Sequence, residues 1–126
     1  MIMIEIDRDS VHPADDMDDH GVSVELSGNS DVSELLQIAQ DACPLPKISG
    51  GKATWIIYAG DNDLHCLGVL AQQWSVPHFL ISANEKINTI FTDQPAKLMF
   101  RYWCQSNPDD VLKALKNKTD LPSKYG

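Results

Sequence analysis

The sequence predicts an α+β domain: a mainly antiparallel sheet of five to seven strands, one helix packed on a face and a short C-terminal helix. Three observations carry that expectation. Short apolar runs, several of them alternating, recur along the chain between Gly-, Asn- and Asp-containing turns. One stretch places apolar residues at helical spacing behind an N-cap, and a second opens with an N-cap, a proline and two acids of the first turn. Strands that follow one another with few helices between them pair antiparallel through hairpins. The length of 126 residues fits a single domain over 1–126 with one core.

Ile2, Ile4 and Ile6 alternate with Met3 and Glu5, as Val22, Val24 and Leu26 alternate with Ser23 and Glu25, so both runs read as strands that pair. The acidic segment 7–20 between them is too charged for a core and reads as a long hairpin connection. Ser27-Gly28-Asn29-Ser30 is loop chemistry. Asp31 is then an N-cap, with Glu34 three residues on, and Val32, Leu35, Leu36, Ala39, Ala42 and Cys43 follow at helical spacing, which predicts a helix over 32–42. Pro44 and Pro46 end it.

Beyond Ser49-Gly50-Gly51, residues 53–59 (ATWIIYA) are apolar on both faces and predict a central strand. Gly60-Asp61-Asn62-Asp63 is a turn signal, and 64–73 reads as the return strand, with Gly68 a bulge or a close approach. Two further strands are expected at 78–82 and 86–92. Residues 97–104 (KLMFRYWC) fit either period, and aromatic content favours a strand. Asn107, Pro108, Asp109 and Asp110 open a second helix near 108–117. The tail 119–126 is expected to be loose.

Charge is distributed unevenly. Residues 1–43 hold 11 acids against Arg8 and carry −10, whereas 44–126 hold 7 acids and 9 bases, for +2. The densest run is Asp15, Asp16, Asp18 and Asp19. Such clustering destabilises the compact state unless solvent, a cation or a basic partner relieves it. With a pI near 4.7 there is no basic stripe to release counterions from phosphates, which disfavours nucleic acid as a direct partner. No apolar run reaches the ~18–20 residues of a membrane span. MIMIEIDRD lacks a basic n-region and an h-region, so no signal peptide and a cytoplasmic location are expected. Cys43, Cys66 and Cys104 then read as unpaired, mainly buried thiols.

No complete catalytic motif is present. Asp16 to Gly21 resembles the start of a calcium loop, but Ser27 stands where the bidentate acid belongs. Gly50-Gly51-Lys52 lacks the first glycine and the Ser or Thr of a phosphate loop. His12, His20, His65 and His78 are scattered without metal-ligand spacing, and His65 and Cys66, adjacent on a strand, point to opposite faces. No cofactor or metal is implied. Of the aromatic residues, Trp74 stands apart: between Gln72-Gln73 and Ser75-Val76-Pro77 it sits near a strand end, where a half-exposed aromatic anchors a partner.

ISGGKATWIIYAG at 48–60 with LGVLAQQWSVPHFL at 67–80 resembles small bacterial immunity proteins of toxin–immunity pairs, of the contact-dependent growth inhibition type. The likeness covers about a third of the chain. It implies a cytoplasmic, non-enzymatic protein that binds and blocks the C-terminal domain of one cognate toxin, often a nuclease. Asp15, Asp16, Asp18, Asp19 and Trp74 are then the expected partner-binding residues. A general protein-interaction or adaptor module, and a small enzyme with a site of unremarkable residues, are the competing classes. A toxin domain encoded by the adjacent gene would discriminate the first, and turnover of a small molecule the last.

Overall fold

The computed structural model describes residues 1–9, 21–45, 51–60, 65–92, 96–104 and 106–122. In chain order the elements are β1 (Ile2–Arg8), β2 (Val22–Leu26), α1 (Val32–Ala42), β3 (Thr54–Ala59), β4 (His65–Ala71), β5 (His78–Phe79), α2 (Ile87–Ile90), β6 (Ala96–Tyr102) and α3 (Pro108–Asn117). The α+β class holds. All six strands join one sheet in the order β2-β1-β6-β3-β4-β5. Four of its neighbouring pairs are antiparallel, and β1 with β6 is the parallel exception.

Period-2 alternation sets which side chains meet the core. Ile4 and Ile6 of β1, Trp55, Ile57 and Ala59 of β3, and Ala96, Leu98 and Phe100 of β6 all point to one face. There they meet Val32, Leu35, Leu36 and Ala39 of α1, which recur at helical spacing and are buried. Each large side chain so buried contributes roughly 1.5–3 kcal/mol. The α1 N-terminus is fixed by Asp31, whose carboxylate accepts from the Glu34 N–H at 2.9 Å. At the other end, the chain leaves the helix through Cys43, whose N–H still reaches Ala39 O.

The two-faced apolarity of β3 has its cause in α3. Ile56 and Val69 point away from α1 and form a second, smaller core with Val111 and Leu112. Asn107 caps α3 by accepting from the Asp109 N–H at 2.9 Å, and Pro108 takes the first turn. β3 therefore lies between β6 and β4 with both faces covered, as its composition predicts.

Gly68 is the close approach, and the bulge falls at the residue before it. The β3–β4 register shifts at Ile57/Tyr58, where Leu67 is the extra residue of a bulge. On its other side, a Cβ at Gly68 would lie 2.4 Å from His78 O and 3.1 Å from Phe79 Cα.

Four expectations need correction. Residues 86–92 are not a strand: Ile87–Ile90 form one helical turn, and Ile87 and Phe91 enter the main core together. Their spacing of four is the helical signal, which β-branched composition masked. The Thr89 hydroxyl lies within hydrogen-bonding reach of Glu85 Oε1 and Lys86 O, holding the turn locally. The strand expected at 78–82 is only His78–Phe79. In the tail, Leu121 packs on the second core and the Trp103 indole N–H donates to Pro122 O at 2.8 Å, so 119–122 are anchored. Finally, all three cysteines are free, but Cys43 alone is buried while Cys66 and Cys104 are half-buried. The expected turn at 61–63 lies outside the described residues.

Candidate binding surfaces

The same alternation that turns Ile4, Ile6 and Val24 toward the core turns Met3, Glu5, Asp7, Ser23 and Glu25 to the opposite side of β1 and β2. All five are exposed. Among the described residues, the second core takes its members from β3, β4, α3 and the segments flanking them, and none from β1 or β2. Three carboxylates therefore stand in one small solvent-facing layer. Lys97 and Met99 of β6 adjoin it, with Lys97 beside Glu5 and Met99 beside Asp7 in the parallel register. An open cleft of about 500 Å³ at this end of the sheet is lined by Glu5, Asp7, Ser23, Gly60, Lys97 and Met99.

Asp9 closes the layer. Its N–H donates to Phe100 O at 2.9 Å, and its Oδ2 accepts from both Arg101 Nε and the Tyr102 N–H at 3.0 Å. This carboxylate thus prolongs the β1–β6 pairing by one residue and is held to the sheet. Asp15, Asp16, Asp18 and Asp19, predicted as partner-binding, lie outside the described residues. They fall in the sequence joining β1 to β2, shortly after Asp9, so the acids of β1 and β2 and the four aspartates belong to one stretch of chain.

Trp74 is described, and it is far from that layer in the sheet order. Its N–H donates to Ala71 O at 3.0 Å, which closes the turn leaving β4. The indole is half-buried and stacks on the His78 imidazole, with centroids 4.1 Å apart and planes 20° from parallel. It packs on the second core and also lines a groove of about 450 Å³ between the end of α1 and the β4–β5 turn. Gln37, Gln40, Leu45, Leu70 and Val76 share that groove, and Val76 is 61% exposed. Trp74 is thus separated from the layer of Glu5, Asp7 and Glu25, because β1 and β2 lie at one end of the sheet and β4 and β5 at the other.

Neither Cys43 nor Cys66 is activated. Burial pushes the Cys66 thiol up to about 11, against a smaller opposing effect from its contact with Gly68 O at 3.8 Å. Burial also raises Cys43, although nearby Arg8 works against it. Thiols raised in this way are poor nucleophiles at neutral pH. Tyr58 and Tyr102 are raised as well, again chiefly by burial. His65 is exposed while Cys66 is half-buried, as expected for adjacent residues of a strand. Among the described residues, no three His, Cys, Asp or Glu side chains converge as a metal site. No helix among them is long and apolar enough to cross a membrane.

No family model, curated protein or solved structure matches this chain. Sequence reasoning named the aspartate run but passed over Glu5, Asp7 and Glu25. The signal was available: each is the polar member of an alternating strand, and strands that pair in register bring such members together.

Proposed function

We propose that this chain is a non-enzymatic, cytoplasmic immunity protein that neutralises one cognate toxin domain by direct contact. The toxin would expose a basic surface of the kind that a nuclease uses to hold its substrate. The observation that carries this reading is the acidic layer of Glu5, Asp7 and Glu25, set on the two strands whose connecting sequence holds Asp15, Asp16, Asp18 and Asp19.

Charge gathered at one end of a sheet produces a directional field, which accelerates encounter with a cationic surface and orients it. A surface built to bind phosphates is basic, so an acidic protein competes for it. Exposed carboxylates act mainly on association rate, while pairs that become desolvated act on dissociation. Catalysis is not required of any side chain in this scheme.

The test is co-expression with the product of the adjacent upstream gene. A stable complex, restored growth of cells making that product, and loss of its activity in the purified complex are the expected results. Toxicity unrelieved by the chain, or no complex with that product, would refute the reading.

A further inference from the structure

β2 ends the sheet. Among the described residues it pairs with β1 alone, in unbroken register from Val22 opposite Ile6 to Leu26 opposite Ile2. Its outer row of N–H and C=O groups is therefore a template for another strand. The edge at the other end is β5, two residues long and preceded by Pro77, which leaves little to template. β2 is longer, has no proline and carries no bulge.

The two faces of this edge differ in chemistry. On one, Val22, Val24 and Leu26 are half-buried against the main core, so the apolar layer runs out to the edge and stops there. On the other, Ser23 and Glu25 are exposed beside Glu5 and Met3, with Asp7 next along β1. Lys97 belongs to β6, two strands in from the edge.

We propose that the β2 edge takes up an extended segment of a partner protein in which apolar residues alternate with lysine or arginine. The apolar side chains continue the layer of Val22, Val24 and Leu26, and the bases stand beside Ser23 and Glu25. A second copy of this chain is the poorer occupant. It would bring two acidic layers to one seam, with residues 1–43 of each copy carrying −10. The cationic half of the proposal rests on the immunity reading, whereas the edge, unpaired among the described residues, does not.

The experiment uses the isotope-labelled full chain and synthetic strand-length peptides of three kinds. One alternates Val with Lys, one alternates Val with Asp, and the third is the Val–Lys peptide N-methylated at alternate residues, made in both registers. The Val–Lys peptide is expected to shift the resonances of residues 22–26 and to slow exchange of β2 amide protons. The Val–Asp peptide and at least one N-methylated register should do neither. Glu25→Lys should weaken Val–Lys binding by about two- to fivefold, the range for an exposed charge pair, and favour Val–Asp.

An unperturbed β2 at millimolar Val–Lys peptide overturns the proposal, as do N-methylated peptides that all bind as well. So does β2 protection that needs no peptide and grows with protein concentration, which would assign the edge to a second copy. The two readings fail separately. A co-expressed basic partner that binds without competition from the peptide removes the edge proposal and keeps the immunity reading. Peptide uptake with no complex formed with the adjacent gene product does the reverse.

Discussion

Replacing Gly68 by alanine tests the least forgiving contact in the fold. An ideal Cβ there would lie 2.4 Å from His78 O, 3.1 Å from Phe79 Cα and 3.2 Å from His78 C. All three are backbone atoms, so no side-chain rotation relieves the overlap. Reaching an ordinary separation requires β5 to retreat by about 1 Å, against a strand held by the Gly68–Phe79 and Val69–His78 pairs and by Leu80 N–H to Leu67 O at 2.9 Å. Overpacking in well-ordered regions costs about 1–3 kcal/mol, and a rigid obstacle places Gly68→Ala in the upper half of that range, at about 2–3 kcal/mol. For a chain of this size that corresponds to a fall in melting temperature of roughly 6–12 °C. Denaturant titration with paired fluorescence and circular dichroism measures it. Because Trp74 stacks on His78, retreat of β5 should also alter the Trp74 emission in the native state. Gly28→Ala is the control: its Cβ would meet Asn88 Cβ at 3.1 Å and Ile2 Cδ1 at 3.5 Å, in a loop that can give, and less than about 1 kcal/mol is expected. A Gly68→Ala cost below that of Gly28→Ala would refute the reasoning, because the β4–β5 approach would then be looser than described.

Other outcomes can be stated more briefly. Lys118 closes α3 in the left-handed conformation at φ 55, so Lys118→Gly should stabilise the fold by about 0.5–1 kcal/mol in the same titration. Asp31→Ala removes the cap on the Glu34 N–H and should cost about 1 kcal/mol, with Asp31→Asn close to neutral. Cys66 has its proton held more tightly when folded, so it contributes stability below its ordinary value of 9.0 that is lost as pH rises toward about 11. Stability should therefore decline over that window, and Cys66→Ala should flatten the decline, leaving the part due to the raised Cys43, Tyr58 and Tyr102. For the immunity reading, Asp→Asn changes at 15, 16, 18 and 19 should slow association with the co-expressed partner and flatten its salt dependence; unchanged association at low and physiological salt would limit the aspartates to solubility.

Elements with a local signature were legible in the sequence, and those fixed by distant partners were less so. Asp31 and Asn107 announce their helices because a cap is a contact between residues two or three apart. The run at 54–59 announces a central strand because apolar side chains on both faces of a strand need cover on both. Ile87 and Phe91 misled because a short run rich in β-branched residues reads as strand, while the pull of the main core on both side chains is non-local. The parallel β1–β6 pair was equally hidden, since nothing within either strand specifies a neighbour nearly a hundred residues away. The candidate surface divides in the same manner. A run of four aspartates is visible in sequence, but the layer formed by Glu5, Asp7 and Glu25 exists only once the register of β1 and β2 is known.

That register also explains how a chain so unevenly charged keeps a core. Glu5 lies between Ile4 and Ile6, and Glu25 between Val24 and Leu26, so each carboxylate is one residue from a side chain that packs inward. A slip of one residue in either strand would bury the acids and expose the apolar side chains, a cost far above any gain in pairing, which pins the arrangement. Once pinned, the carboxylates can be neutralised without disturbing what lies beneath them. Glu5→Gln, Asp7→Asn and Glu25→Gln, singly or together, should each change stability by no more than about 0.5 kcal/mol. Any larger loss of partner binding in the same proteins is then a property of the surface and not of the fold. A triple variant with native stability and native association rate would exclude this layer from recognition.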